Sequence, residues 1–342
     1  MRRMTLIAML MFLLTDVVAG ETLVIYGSRQ YTLMEPLLEA YETAHGVEVS
    51  YVQEKSASLL QRLRDEGSKS PADLLLTADI GMLEAAKKDD LLQPKQSPLL
   101  VGLIPARYRD PQGYWFGLSL RARLILYIPS RIERDLIHDY ADLASPSLEG
   151  KLCIRSFKHV YNQSLLAALI SRWGEAKAQA WLEAVADNLA RPPEGGDRDQ
   201  IRAMVDGVCD LALVNSYYYA MMLNSENPRD REVATQAAWI WPDSGVHVNI
   251  SGGGVTRHAP HPQLAMDFLE FLVGFQRQRL YAELNQEYPV VTGVPVSHTL
   301  MRLGAFEASD QPMALIARQK ESALALIDRL EKKHKDRLEQ QD

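Results

Sequence analysis

Between Thr22 and Lys88, short apolar runs alternate with segments whose apolar residues recur at helical spacing, and this alternation restricts the fold more than any other feature. Thr22-Leu23-Val24-Ile25-Tyr26 is strand-like and ends in Gly27-Ser28-Arg29-Gln30-Tyr31. Leu33, Leu37, Leu38 and Tyr41 then follow a helical period. Val47–Val52 repeats the strand, and Leu59, Leu60 and Leu63 with a stop at Gly67 repeat the helix; Asp73–Thr77 and Met82–Lys88 form a third pair. Such alternation builds an α/β unit on a parallel sheet, whose ligands lie beyond the carboxyl ends of strands. Tyr31 falls in that place.

A second α/β unit follows the proline-punctuated segment 94–111. Arg121-Ala122-Arg123 leads into Leu124–Ile128, a run able to cross between lobes. Tyr140–Leu143 reads as a short helix, Lys151–Ile154 as a strand, Arg155–Gln163 as the loop after it and Ser164–Trp173 as a helix. Tyr161, in that loop, repeats the placement of Tyr31. Arg191–Gln200 reads RPPEGGDRDQ, a loop in which Asp197 and Gln200 fit an acidic capping box for helix Ile201–Val205. Strand Asp210–Val214 then delivers Asn215–Ala220, NSYYYA. Three adjacent tyrosines cannot all face one apolar interior, because each buried hydroxyl needs a partner. They form either an aromatic strand edge or subunit contact, or phenols turned into a cavity.

Farther on, His247–Ile250 and Gly252-Gly253-Gly254 read as a strand returning to the first lobe, with no helix directly after it to make a phosphate cradle. Gln263–Phe275 is an amphipathic helix. From Met313 onward, one or two helices cap a lobe, with a solvated end beyond Lys332.

Arg2 and Arg3, the apolar run Met4–Leu14 and Val18-Ala19-Gly20 are the three parts of an export signal cleaved near Ala19 or Gly20. The remaining chain, about 320 residues, exceeds what one core usually serves, so two lobes are expected. A formal net charge of −7 argues against a nucleic-acid surface. Cys153 and Cys209 are the two cysteines. In an oxidising compartment they either pair or stand as separate buried thiols. Neither a G-x-S-x-G elbow nor an H-E-x-x-H helix is present, and no carboxylate pair stands out as acid and base, so no enzyme is expected. His258 and His261, in a proline-containing loop, offer two ligands at best.

Phenols gathered on one pocket suit a small, hard, highly charged cation. An ordinary tyrosine ionises near pH ~10, so a trivalent ion such as Fe³⁺ must supply the charge that displaces its proton. Four phenolates would leave a net charge of −1, which a nearby arginine can offset; Arg121 and Arg123 are candidates.

The stretches SRQY (28–31), SPADLLLTAD (70–79), RARLILY (121–127), IRSFKHVYNQSL (154–165), ARPPEGGDRDQI (190–201), NSYYYA (215–220), HVNISGGGV (247–255) and EYPVVTGVP (287–295) resemble the periplasmic ferric-ion-binding proteins of ABC-type iron transporters. The resemblance spans nearly the whole exported chain. It implies a two-lobed, hinged, transferrin-like (type II) periplasmic-binding fold with mainly parallel sheets flanked by helices. Lobe 1 would comprise 21–120 and 246–310, lobe 2 would be 121–245, and 311–342 would be C-terminal helices. Matched position by position, it implies Fe³⁺ ligands at Tyr31, Tyr161, Tyr217 and Tyr218, leaving Tyr219 to packing. Many members read SRHY, where the histidine can be a fifth ligand; Gln30 stands there in this chain, which implies a fifth position that is empty, water-filled or taken by carbonate or another small anion. The implied partners are an inner-membrane permease and ATPase, and the protein is expected as a monomer. Two alternatives are a binding protein for an oxyanion or organic acid, with tyrosines as donors, and a periplasmic iron-sensing subunit.

Overall fold

The structure, a computed structural model, describes residues 21–339; the export signal read at 1–20 lies outside the described residues. The chain opens with β1 (Thr22–Gly27), α1 (Tyr31–His45), β2 (Glu48–Gln53), α2 (Ser56–Glu66), β3 (Leu74–Thr77), α3 (Ile80–Lys88), α4 (Pro98–Leu103) and β4 (Phe116–Tyr127). It continues with β5 (Leu152–Cys153), α5 (Val160–Trp173), α6 (Glu175–Asp187), α7 (Asp197–Val205), β6 (Leu211–Asn215), α8 (Ser216–Leu223), α9 (Pro228–Thr235) and β7 (Ala238–Ile240). It closes with β8 (Val248–Val255), α10 (Pro262–Val273), α11 (Phe275–Asn285), β9 (Tyr288–Pro289), α12 (His298–Arg302), α13 (Met313–Arg318) and α14 (Lys320–Glu339).

The strand order is β2-β1-β3-β8-β4-β6-β5, with β7 and β9 also on β4. β1 pairs in parallel with β2 and β3, and β5 with β6, as the alternation of strands and helices requires. β4 and β8 differ. β4 is one strand of 12 residues that runs through both halves of the sheet, pairing with β8 over Phe116–Ala122 and with β6 over Arg123–Tyr127. Both contacts, and that of β8 with β3, are antiparallel. The sheet is therefore mixed where the sequence suggested mainly parallel pairing. Strands that carry the chain from one half to the other and back run against their neighbours.

β3, β6 and β8 are buried along their whole length, and they read as continuous apolar or glycine-rich runs for that reason. The glycines of β8 meet a steric limit. A Cβ on Gly253 would lie 2.5 Å from the Leu76 side chain, and one on Gly254 would lie 2.3 Å from the Tyr114 carbonyl oxygen. One apolar core continues through both halves, from Leu23 and Phe268 to Leu169 and Val214. α14 lays Ala323, Leu326, Ile327 and Leu330 inward and reaches both halves, through Lys88–Glu321 at 3.0 Å and Arg329–Glu175 at 2.7 Å. These exposed pairs contribute little beside the apolar face.

Cys153 and Cys209 are bonded, joining the end of β5 to the turn that enters β6. No helix among the described residues is long and apolar enough to cross a membrane.

Candidate metal centre

All four candidate tyrosines stand in the first turn of a helix. Tyr31 opens α1, Tyr161 is the second residue of α5, and Tyr217 and Tyr218 are the second and third of α8. The loop read at Arg155–Gln163 therefore ends earlier, at the cap His159, whose Nδ1 accepts the Tyr161 N–H at 3.3 Å. The strand end read at NSYYYA is likewise a helix start. Helix N-termini present unpaired N–H groups and partial positive charge, which favour an anionic side chain by about 0.3–1 kcal/mol. This local structure also separates the three adjacent tyrosines. At about 100° per residue, Tyr219 lies about 200° from Tyr217 and turns away from it, while the Tyr217 and Tyr218 rings meet at 4.1 Å. Tyr219 is buried and donates its hydroxyl to the Ala237 carbonyl at 2.8 Å.

Tyr161, Tyr217 and Tyr218 line one cavity of about 270 Å³. The hydroxyls of Tyr161 and Tyr217 are 2.9 Å apart, and the rings of Tyr217 and Tyr218 lie 4.1 Å centre to centre. Burial holds the Tyr217 phenol well above its ordinary pKa, and the neighbouring oxygens of Tyr161 and Tyr218 add to the rise; Arg121 opposes it. Tyr218 is also raised, first by burial and then by Tyr161. Without a cation these phenols keep their protons at neutral pH.

Cations surround the trio. The guanidinium of Arg121 lies 5.4 Å and that of Arg155 5.1 Å from the centre of the Tyr161 ring, and Arg198 lies 5.6 Å from that of Tyr218. Arg121 is buried, donating to the carbonyls of Ala78 and, at 3.1 Å, Ile250. Burial opposes its charge, yet the oxygens of Tyr161, Glu287 and Tyr217 raise its pKa. Arg123 points elsewhere, to Asp197 at 3.2 Å and Asn162 at 2.6 Å. His159, pushed down to about 3 by burial and by Arg155, Arg123 and Arg121, is a neutral ring packed 4.4 Å from Tyr161.

The first-half side of the cavity contains Gln30 and Arg29, the latter bonded to Glu287 at 2.9 Å and Ser251 at 2.6 Å. Gln30 is the exposed cap residue of α1. Tyr31 does not line the cavity. It is 43% exposed, with its ring 6.0 Å from Tyr51 and its N–H donated to Gln53 Oε1 at 2.7 Å. Its phenol is raised by slight desolvation and by Glu35, Glu39 and Glu42. Three of the four candidates are thus gathered and the fourth stands apart.

Among the described residues, no group of three or more His, Cys, Asp or Glu side chains is placed to hold a metal ion. His261 turns its ring toward Asp73 at 3.5 Å instead. Sequence reasoning missed Arg29, Arg155 and Arg198. Their neighbours in the chain, Gln30-Tyr31, the end of β5 and the loop before α7, were the available signals.

The model of the bacterial extracellular solute-binding protein family matches residues 69–303. Iron uptake protein A1 of Synechocystis is 38% identical over 83% of this chain and 80% of its own. Among solved structures, the Trichodesmium IdiA/FutA protein in complex with iron and citrate aligns with TM-score 0.86 and 39% identity, over 90% of this chain and 99% of its own. The apo ferric-ion-binding protein A of Pasteurella haemolytica aligns with TM-score 0.86 and 40% identity, over 91% and 98%.

Proposed function

The chain belongs to the family of bacterial extracellular solute-binding proteins, and on that premise we propose that it is a periplasmic carrier of ferric iron. The observation that supports this reading most is the gathering of Tyr161, Tyr217 and Tyr218 at two helix N-termini, with two oxygens 2.9 Å apart and arginines around them. Hard anionic oxygen suits a trivalent ion, and the arginines offset the charge the phenolates bring. Tyr161, Tyr217 and Tyr218 take the ion first. The halves of the sheet act as lobes, 21–120 with 246–310 and 121–245, hinged on β4 and β8. Closure brings Tyr31 to the ion as the fourth phenolate. Gln30 leaves the next coordination position to water or a small anion such as carbonate. The loaded monomer then docks on an inner-membrane permease, whose ATPase partner drives uptake. Names of the relatives, an iron uptake protein and ferric-binding proteins, support the same cargo.

A second reading has a specific basis. Arg29, Arg121 and Arg198 share the cavity with the phenols, so an organic acid or oxyanion could be the ligand, with tyrosines as hydrogen-bond donors. Thermal unfolding separates the two, because a ligand raises the melting temperature by binding the folded state. A rise with Fe³⁺ supplied from a weak chelator and none with the chelator alone supports the iron carrier. A rise with the acid alone, unchanged by iron, sinks it.

A further inference from the structure

Two helices, α5 and α8, carry the gathered phenols and a third, α7, carries Arg198 beside them; one buried guanidinium is bonded to α5, to α7 and to the cap of α8. Arg123, 1% exposed at the middle of β4, donates through Nη2 to Asn162 Oδ1 at 2.6 Å, beside Tyr161. Through Nη1 it reaches Asn215 Oδ1 at 3.3 Å, two residues before Tyr217. The same nitrogen faces both carboxylate oxygens of Asp197, at 3.2 and 3.3 Å. Asp197 is wholly buried and begins α7, directly before Arg198 at the Tyr218 ring. The bonds continue outward. Asn162 donates to the carbonyls of Arg155 and Ser156 at 2.9 and 3.1 Å, and Asp197 accepts the Asn215 N–H at 3.4 Å. The cap read at Asp197 is instead Gly196, and Asp199, not Gln200, reaches back to accept its N–H at 2.8 Å.

We propose that Arg123 and Asp197 are positioning residues that set the spacing of the Tyr161, Tyr217 and Tyr218 oxygens; this rests on the reading that those phenols hold the ion. Chain connectivity cannot set that spacing, since Tyr161 and Tyr217 are 56 residues apart. The disulfide joins the strands that lead to them, and the guanidinium joins the far ends. Asp197 faces Arg123 at 3.2 Å and Arg155 at 3.6 Å, and Arg123 spends both terminal nitrogens on structure, so Arg121 and Arg198 are the cations that line the cavity beside the phenols. A planar fork reaching Asn162 on one side and Asn215 with Asp197 on the other is arginine geometry that a lysine cannot reproduce. Groups that orient metal ligands typically change affinity about 10–100-fold.

The test compares the exported chain with its Asp197→Asn, Arg123→Lys and Asn162→Ala variants, in competition for ferric citrate and in the visible spectrum of the loaded protein. Asp110→Asn, which removes the buried acid of the Lys87–Asp110 pair, neither residue of which lines the cavity, controls for losing a buried carboxylate with its partner. The three variants are expected to bind iron about 10–100-fold more weakly with a displaced phenolate-to-iron band, while Asp110→Asn changes only the melting temperature. Asn162→Ala keeps the ion pair, so it answers the question if Asp197→Asn fails to fold. A coloured wild type whose folded variants keep its band and affinity overturns the positioning role. A wild type that binds iron without the band removes the phenolate reading, and the proposal with it.

Discussion

On one side of the cavity Tyr161 and Tyr217 already share a 2.9 Å hydrogen bond, with the Tyr218 ring tilted against that of Tyr217 and buried arginines behind. On the other side Tyr31 stands 43% exposed beside glutamates of its own helix. Both sides use the same device, a tyrosine in the first turn of a helix. They differ in what surrounds it. Asn162, Asn215 and Asp197 lock the first set through Arg123, whereas at the start of α1 the bonds hold the backbone, from the Tyr31 N–H to Gln53 and from the Tyr51 hydroxyl to the Arg29 carbonyl, and leave the Tyr31 ring exposed. A preorganised set loses little freedom on binding, so it captures; an exposed residue joins only when the halves approach.

Acid should have the largest effect on this contrast. Burial keeps Tyr217 and Tyr218 protonated in the empty site, so each phenol that binds iron must give up a proton. Lowering the pH returns those protons, and affinity should fall by roughly tenfold per phenol per pH unit, roughly a thousandfold for three. Competition with citrate at two pH values checks the slope; a slope near zero would assign the ion to other groups. The staple beneath the captured side comes next. Replacing Cys153 and Cys209 by serine opens a loop of sequence separation 56 and should cost about 4 kcal/mol in urea unfolding. Tyr217→Phe should then weaken iron binding by about 100-fold or more, since this phenol touches both others. The smallest change belongs to the exposed side. Gln30→His offers an imidazole at the cavity edge and should tighten binding by about tenfold or less. A loss of affinity there would mean that Gln30 already holds a group the site needs.

Much of the fold was legible because strands and helices alternate with different apolar periods, and β4 was recognised as the crossing strand from Arg121 to Ile128. The direction of β8 was not, since a buried apolar run has no polarity along its length. Helix starts at the site were also hidden. α5 is capped by His159, an uncommon cap, and the aromatic residues of NSYYYA favour strands as much as helices. Read as a strand, that stretch would aim Tyr217 and Tyr219 the same way, whereas the helix turns Tyr219 away from Tyr217. Asp197 looked like a cap because a short acid after Gly-Gly usually is one. Its true partner, Arg123, lies 74 residues away, where no local pattern reaches.

The most direct test is the visible spectrum and metal content of Tyr31→Phe loaded with ferric citrate near neutral pH. If the set on α5 and α8 captures the ion unaided, the variant should hold one iron per chain and keep a phenolate-to-iron band, with faster loss to a competing chelator. A variant that takes up no iron, or takes it up without colour, would contradict capture by Tyr161, Tyr217 and Tyr218.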